Sequence, residues 1–292
     1  MKKLLRLLPV VFLLSLLAAL ALRDSVLRHS PDTQNPAAVF QPPSSVHWLG
    51  TDLLGRDLAA RLAGGAEISL AVGLSGTLVA LAIGLLVGSV AGWVGGRTDA
   101  VLMRLVDTLY GLPFVFIAIL ATVFFRSIPP DRNPLIALLG SEPRAQLVLL
   151  FIVLGAVQWL TPARIVRAEV LALRRSGFVE AAHALGAGPV RIVLRHLLPN
   201  LAGPVLAYAA LMVPVMMLEE SFLSFIGLGV RDPQASWGSL LSEGADLLNP
   251  VQFRWWLVIF PAAALSCTLL SLQSLAEGLR RAKPGRSTAE GA

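Results

Sequence analysis

Six long apolar stretches, at about residues 4–22, 68–94, 100–125, 146–165, 201–226 and 255–275, decide what this chain can fold into. Each supplies the roughly 20 apolar residues that cross a hydrocarbon layer as a helix. Lipid offers no water to bond to, so the backbone of such segments must pair internally, and a helix does that alone. The rest of the composition agrees. Hydrophobic residues make up 55% of the chain and charged ones only 14%, with a mean hydropathy of +0.73. Soluble domains carry about 25% charged residues. The expectation is an all-α membrane protein with six transmembrane helices.

The first stretch has two readings. Lys2 and Lys3, the leucine-rich middle and Ala19-Leu20-Ala21 have the layout of a cleaved signal peptide. The apolar run is long for such a peptide, which favours a retained anchor. Basic residues set the orientation. With the N-terminus in the cytoplasm, the inside segments 1–7, 94–104, 164–200 and 276–292 hold 15 of the 24 Lys and Arg. Positive charge collects on the cytoplasmic side, so both termini are expected there. The formal charge of +6 is thus a topology signal and not a nucleic-acid surface.

Through the second stretch and just past its end, Gly76, Ala80, Gly84, Gly88, Gly92 and Gly96 recur at every fourth position. That spacing places small residues on one face and predicts close helix packing. Glu219 and Glu220 lie inside the fifth stretch, where a carboxylate needs a cavity or a polar partner. They either line a pathway or contact a loop at the outer end of the span. Pro214 in the same stretch suggests a kink.

Catalytic signatures are missing. The only lysines are Lys2, Lys3 and Lys283, and none sits in a phosphate-binding loop. The histidines His29, His47, His183 and His196 are scattered, so no metal site is expected. Cys267 is the single cysteine and excludes an internal disulfide. No catalytic or cofactor-binding residues are expected, and the chain reads as a non-enzyme.

The longest inside segment contains EAAHALGAGPVRIVLRHLLPN at 180–200. A helix is expected over 170–184, stopped by Gly186, Gly188 and Pro189. A second short helix over 190–198 is expected to close at Pro199. Ala182 and Gly186 would share a face. Such an elbow suits either a grip by another protein or a resting place on lipid headgroups, with Arg174, Arg175, Arg191 and Arg195 on phosphates.

The segment resembles the EAA loop of ABC-importer permeases: Glu180-Ala181-Ala182, then Gly186, then Leu198-Pro199. Arg195-His196-Leu197-Leu198-Pro199-Asn200 is similar to the form of that loop in the dipeptide/oligopeptide branch. Other segments fit the same branch: His47–Asp57 (HWLGTDLLGRD), Arg104–Asp107, Ala163–Glu169, Leu223–Gly229 with Trp237-Gly238, and Gly278-Leu279-Arg280. Two features depart from it: a long polar loop at 126–145, and Glu277 where the family commonly has Asp.

The resemblance implies a type I importer permease bundle in a bacterial inner membrane, with the cytoplasmic loop as coupling element. It implies a second permease as partner in the pathway, two ATPase subunits that carry the ATP and Mg, and an extracytoplasmic binding protein. Glu180, Ala181, Ala182, Gly186, Leu198 and Pro199 are then the expected ATPase contact. Di- or oligopeptides are the implied cargo. Related permeases carry nickel or glutathione, and a proton-driven transporter using Glu219 or Glu220 is the rival from another class. Three regions are expected: an anchor and Pro-rich segment at 1–65, the permease domain at 66–283 and a disordered tail at 284–292.

Overall fold

The structure is a computed structural model that describes residues 2–282, except 24–26, 28, 231, 233 and 249–251. The tail expected from 284 onward lies outside the described residues. Among them there is no strand, only an isolated bridge between Thr51 and Asp57. The helices are α1 (Lys2–Ala21), α2 (Leu58–Val94), α3 (Gly96–Tyr110), α4 (Phe114–Ser127), α5 (Pro134–Leu139), α6 (Glu142–Gln158), α7 (Leu160–Leu173), α8 (Gly177–Ala184), α9 (Pro189–Ile192), α10 (Leu198–Phe225), α11 (Trp237–Asp246) and α12 (Trp256–Ala282). The long polar loop at 126–145 holds α5, whose N-cap Asn133 accepts from the Leu135 amide.

Helix α2 is the central post. α6, α7 and α10 pack on it, and α12 packs on α10, α11 and α1. The stripe of small residues makes these approaches possible. Gly76 meets Leu154 and Met216, Gly84 meets Pro162, and Gly92 meets Val170. A Cβ at Gly88 would lie 2.5 Å from the Ala163 carbonyl oxygen and 2.8 Å from Val166 Cβ. Backbone cannot step aside as a side-chain tip can. Gly88→Leu is therefore expected to lower stability by about 2–3 kcal/mol, since overfilling a packed contact costs on that order. An unchanged unfolding midpoint in detergent would contradict this. Gly96, the last member of the stripe, falls outside: α2 ends at Gly95 (φ +69°) and Gly96 starts α3.

Two single spans expected from the sequence are broken, and the second and fifth begin earlier than expected, the second at Leu58. The third splits into α3 and α4, bent by 83° across Gly111-Leu112-Pro113. Proline has no amide to donate and disfavours helical geometry in the residue before it. The fourth splits into α6 and α7, bent by 45° at Trp159. The fifth is longer than expected. A π-helical turn at Val193–Leu197 joins α9 to α10, giving one helical run from Pro189 to Phe225. Pro199 therefore does not close a helix. The widened turn, with the Leu198 amide bonded to the Val193 carbonyl, accommodates it near the start of α10. That helix continues through Pro204 and Pro214 without interruption.

Among the described residues three helices are long and apolar enough to cross a membrane, or five if each bent pair is one span. Helix α1 is the sixth apolar helix, with Leu16 and Leu20 against the cluster built on Met217, Trp237 and Leu265. Leu78, Leu86, Leu120, Phe124, Leu206 and Leu270 point outward and are exposed. A bundle that is apolar outside as well as inside has lipid or other apolar helices as its surroundings. The chain is a multi-pass membrane protein.

The end of the bundle where α2 begins is tied by buried charge. The Arg61 guanidinium is 2% exposed and forks onto Glu243 at 2.5 and 2.9 Å. It also donates to Asp52 at 2.8 Å and reaches Asp232 at 3.4 Å. Arg56 donates to the same Asp52 oxygen at 2.6 Å and to Asp232 at 2.8 Å. Burial alone would lower the Arg56 pKa, but the bonds and charges of Asp52 and Asp232 outweigh it and raise the pKa above its ordinary value. Trp237 adds a bond from its ring N–H to the Leu62 carbonyl at 2.9 Å. The segment before α2 and the loop around α11 thus form one cap.

Candidate functional site

At the opposite end, after α7, the chain makes the elbow. A single helix over 170–184 is expected from the sequence. The structure stops α7 at Leu173 and restarts at Gly177, because the Ser176 amide and hydroxyl both bond the Leu173 carbonyl. That local bond competes with helix continuation. Helix α8 ends in a Schellman cap. The Ala187 amide bonds the Ala182 carbonyl, and the Gly186 amide bonds the His183 carbonyl. Such a cap needs a residue with positive φ, and Gly186 has φ +80°. No atom lies within 4 Å of where its Cβ would be, so this glycine serves the backbone turn and not a close contact within the chain.

One side of the elbow is seated in the bundle. Val179, Ala182, Ile192 and Leu197 belong to the main core. His183 stacks on Trp93 near the end of α2, centroids 5.8 Å apart and planes 10° apart, and Arg174 lies over the same ring at 5.7 Å. Ala182 was expected on an outward small face with Gly186; instead it faces inward. Alternate faces of a short helix cannot both point out, and Ala182 shares its side with Val179.

The other side is open. Glu180, Ala181, Gly186 and Pro199 are exposed, and Leu198 is half-buried. Leu185 is 88% exposed, whereas the uncovered Val190 and Leu194 border an apolar groove with Leu86 and Val90 of α2. A hollow of about 320 Å³ beside Leu185 is lined also by Ala187, Arg191, Arg195 and His196, with the buried Ala182 at its floor. An exposed apolar tip next to a basic hollow has the chemistry of a docking surface.

Two further ion pairs brace the elbow's supports, and sequence reading did not pair them. Arg167 grips Asp99 with two N–H groups, and Arg164 donates to Asp107 at 2.5 Å while lying 4.2 Å above the Tyr110 ring. Both pairs join α7 to α3. The signal was present, since Asp107 and Arg164 each lie in a quoted motif, but nothing in the sequence says that the two motifs meet.

The adjacent carboxylates of α10 have different surroundings. Glu220 is fully buried and accepts from Ser224 Oγ at 2.6 Å and Ser69 Oγ at 3.3 Å. Ser69 in turn accepts the Trp237 amide, and Ser224 accepts the Val230 amide and the Ser236 hydroxyl. Glu220 thus joins α10 to α2 and to the loop before α11, the loop contact that was one of its two sequence readings. Glu219 is only partly buried and accepts from Gln158 at the α6–α7 bend.

Residues 84–283 match the family described as binding-protein-dependent transport system inner membrane component. The oligopeptide transport system permease protein OppC of Haemophilus influenzae is 43% identical over 236 residues, covering 81% of this chain and 69% of that protein. OppC of Escherichia coli K12 is 42% identical, covering 82% and 72%. The dipeptide transport system permease protein DppC of Bacillus subtilis is 37% identical, covering 93% and 77%. Among solved structures, the MetNI methionine ABC transporter in inward-facing conformations superposes with a TM-score of 0.57 at 19% identity, over 78% of this chain and 98% of that one. That likeness establishes a shared fold. The matched span and the relatives together cover most of the chain, and the protein belongs to the inner-membrane permease components of binding-protein-dependent transport systems.

Proposed function

We propose that this permease forms, with a second permease chain, the membrane pathway through which di- and oligopeptides enter a bacterial cell. Separate ATPase subunits drive it through the 180–200 elbow, and an extracytoplasmic binding protein delivers the cargo. The observation that carries the mechanism is the elbow's two-sided construction. Its inner side is seated in the core, and its outer side offers Leu185 uncovered beside Arg191 and Arg195. The sequence holds no nucleotide-binding loop, which fits a drive received from separate ATPase chains.

The excess of basic residues at this end supports a cytoplasmic elbow, with both termini on the same side. The helical run from Pro189 to Phe225, about 55 Å at 1.5 Å per residue, leads from the elbow to the Glu220 hub at the far end. A displacement imposed on the elbow would therefore travel as a rigid-body movement. Glu219 and Gln158, at the bend of α6 and α7, are the polar groups we assign to the pathway wall; Glu220 we assign to structure.

The peptide cargo rests on the names of the relatives. It is tested by uptake of labelled di- and oligopeptides in cells lacking this chain and any other peptide importer. Uptake should vanish on deletion and return with the wild-type chain. Undiminished uptake in the deletion would refute the peptide reading and direct attention to nickel or glutathione.

A further inference from the structure

The four histidines are scattered along the sequence, yet the fold gathers two of them on one carboxylate. His47 Nδ1 lies 2.8 Å from Asp57 Oδ2, and His29 Nδ1 lies 3.6 Å from the same oxygen. The two imidazoles are 4.8 Å apart between centroids and tilted by 33°. The three ligand atoms all lie within 4.8 Å of one another. Tetrahedral zinc, with bonds of about 2.0–2.2 Å, sets its ligand atoms about 3.3–3.6 Å apart. The separations of 2.8 and 3.6 Å to the carboxylate bracket that edge, and the two imidazole nitrogens, within 4.8 Å, close to it by rotation of the two side chains.

The surroundings suit a bound cation. His47 and Asp57 are buried, which shields the ligands from water. The other oxygen of Asp57 caps α2 by accepting the Ala60 amide at 3.0 Å, which fixes the carboxylate's direction. The backbone amide of His47 is held by Ser44 Oγ at 3.1 Å. His29 is about one-third exposed and borders a cavity of about 330 Å³ lined also by Arg23, Leu27, Ser30, Pro31 and Ala60. The cavity is an entry path and has room for a water as fourth ligand. The charge of Arg23 at its rim is met by Glu67 at 2.5 Å.

A bond from His47 to Asp57 would by itself fasten its loop to the start of α2. It leaves unexplained why His29, from the segment after α1, converges on the same oxygen. We propose that His29, His47 and Asp57 form a binding site for a divalent transition-metal ion of the zinc class. The ion would tie the segment following α1 to the start of α2. Two imidazoles and one carboxylate favour zinc, nickel or copper over magnesium and calcium, which take oxygen ligands. The site lies at the opposite end of the bundle from the elbow, and its proposal does not depend on which solute the permease carries.

The test uses the full chain purified with its partner subunits, without a polyhistidine tag, stripped by chelator and titrated with Zn²⁺ in a calorimeter. One Zn²⁺ per copy of this chain is expected in the wild type. His29→Ala should weaken that binding tenfold or more. Its metal-free unfolding midpoint should match that of the wild type, because His29 is partly exposed and serves no helix cap. As a second readout, Zn²⁺ should slow proteolytic cleavage between residues 23 and 34 in the wild type and not in His29→Ala. Failure of the wild type to bind Zn²⁺ would overturn the proposal. So would equal affinity in His29→Ala, which would place the metal elsewhere on the surface.

Discussion

Arg61→Met should prevent the chain from accumulating as a folded protein, or lower its stability by about 3–5 kcal/mol where it does accumulate. The side chain is among the largest fully buried ones, and all its partners are carboxylates: Asp52, Asp232 and Glu243. Methionine fills similar space but leaves Asp52, itself 3% exposed, with Arg56 as its remaining cationic partner. Asp232 and Glu243 keep contact with water, so the loss falls on Asp52, a buried carboxylate left with half of its cationic compensation. Arg61→Lys keeps the charge but cannot fork onto both oxygens of Glu243, so it should recover only part of the loss. Asp52→Asn added to Arg61→Met should cost less than the sum of the two single changes, because the pair is coupled. The measurement is thermal unfolding in detergent with the yield of monodisperse protein. A wild-type midpoint for Arg61→Met would mean that the cap holds without its central cation.

This network marks where sequence reading stopped. Hydropathy alone located the six apolar segments, because the lipid requirement leaves few alternatives. The small-residue stripe on α2 was readable from its spacing of four and packs as expected from Gly76 to Gly92. Breaks inside spans were harder. Gly111-Leu112-Pro113 interrupts a helix and Pro199 does not, although both contain proline. The difference lies in the π-turn before Pro199, a tertiary adjustment with no sequence signature. Contacts between distant polar residues were hardest. Asp107 with Arg164 and Arg61 with Glu243 join elements far apart in the chain, and pairing of charges has no period to detect. At the elbow the sequence located the segment and its stop at Gly186. It misplaced Ala182, because the direction a short helix faces is set by what it packs on.

Leu185→Asp should cut peptide uptake at least tenfold while leaving the unfolding midpoint unchanged. At 88% exposure Leu185 adds almost nothing to the chain's own core, and surface changes of this kind stay within about ±0.5 kcal/mol. If an ATPase closes over the elbow, however, an apolar anchor in its pocket is replaced by a charge that must be buried without a partner. ATPase subunits should then co-purify poorly with Leu185→Asp. Gly186→Ala separates the two roles of its position. Alanine adds only a methyl group and meets no atom of this chain, but it cannot adopt φ +80° without strain of about 1–2 kcal/mol. It should loosen the α8 cap and reduce uptake partially, whereas Gly186→Trp adds bulk on the docking side and should abolish uptake in a chain that still inserts. Gly186→Trp is strained at the same backbone angle, so Leu185→Asp carries the cleaner test. Full uptake with normal ATPase co-purification in Leu185→Asp would remove the elbow's exposed tip from the coupling contact. Loss of uptake with retained stability would place the drive of this permease on a few side chains that its own fold leaves uncovered.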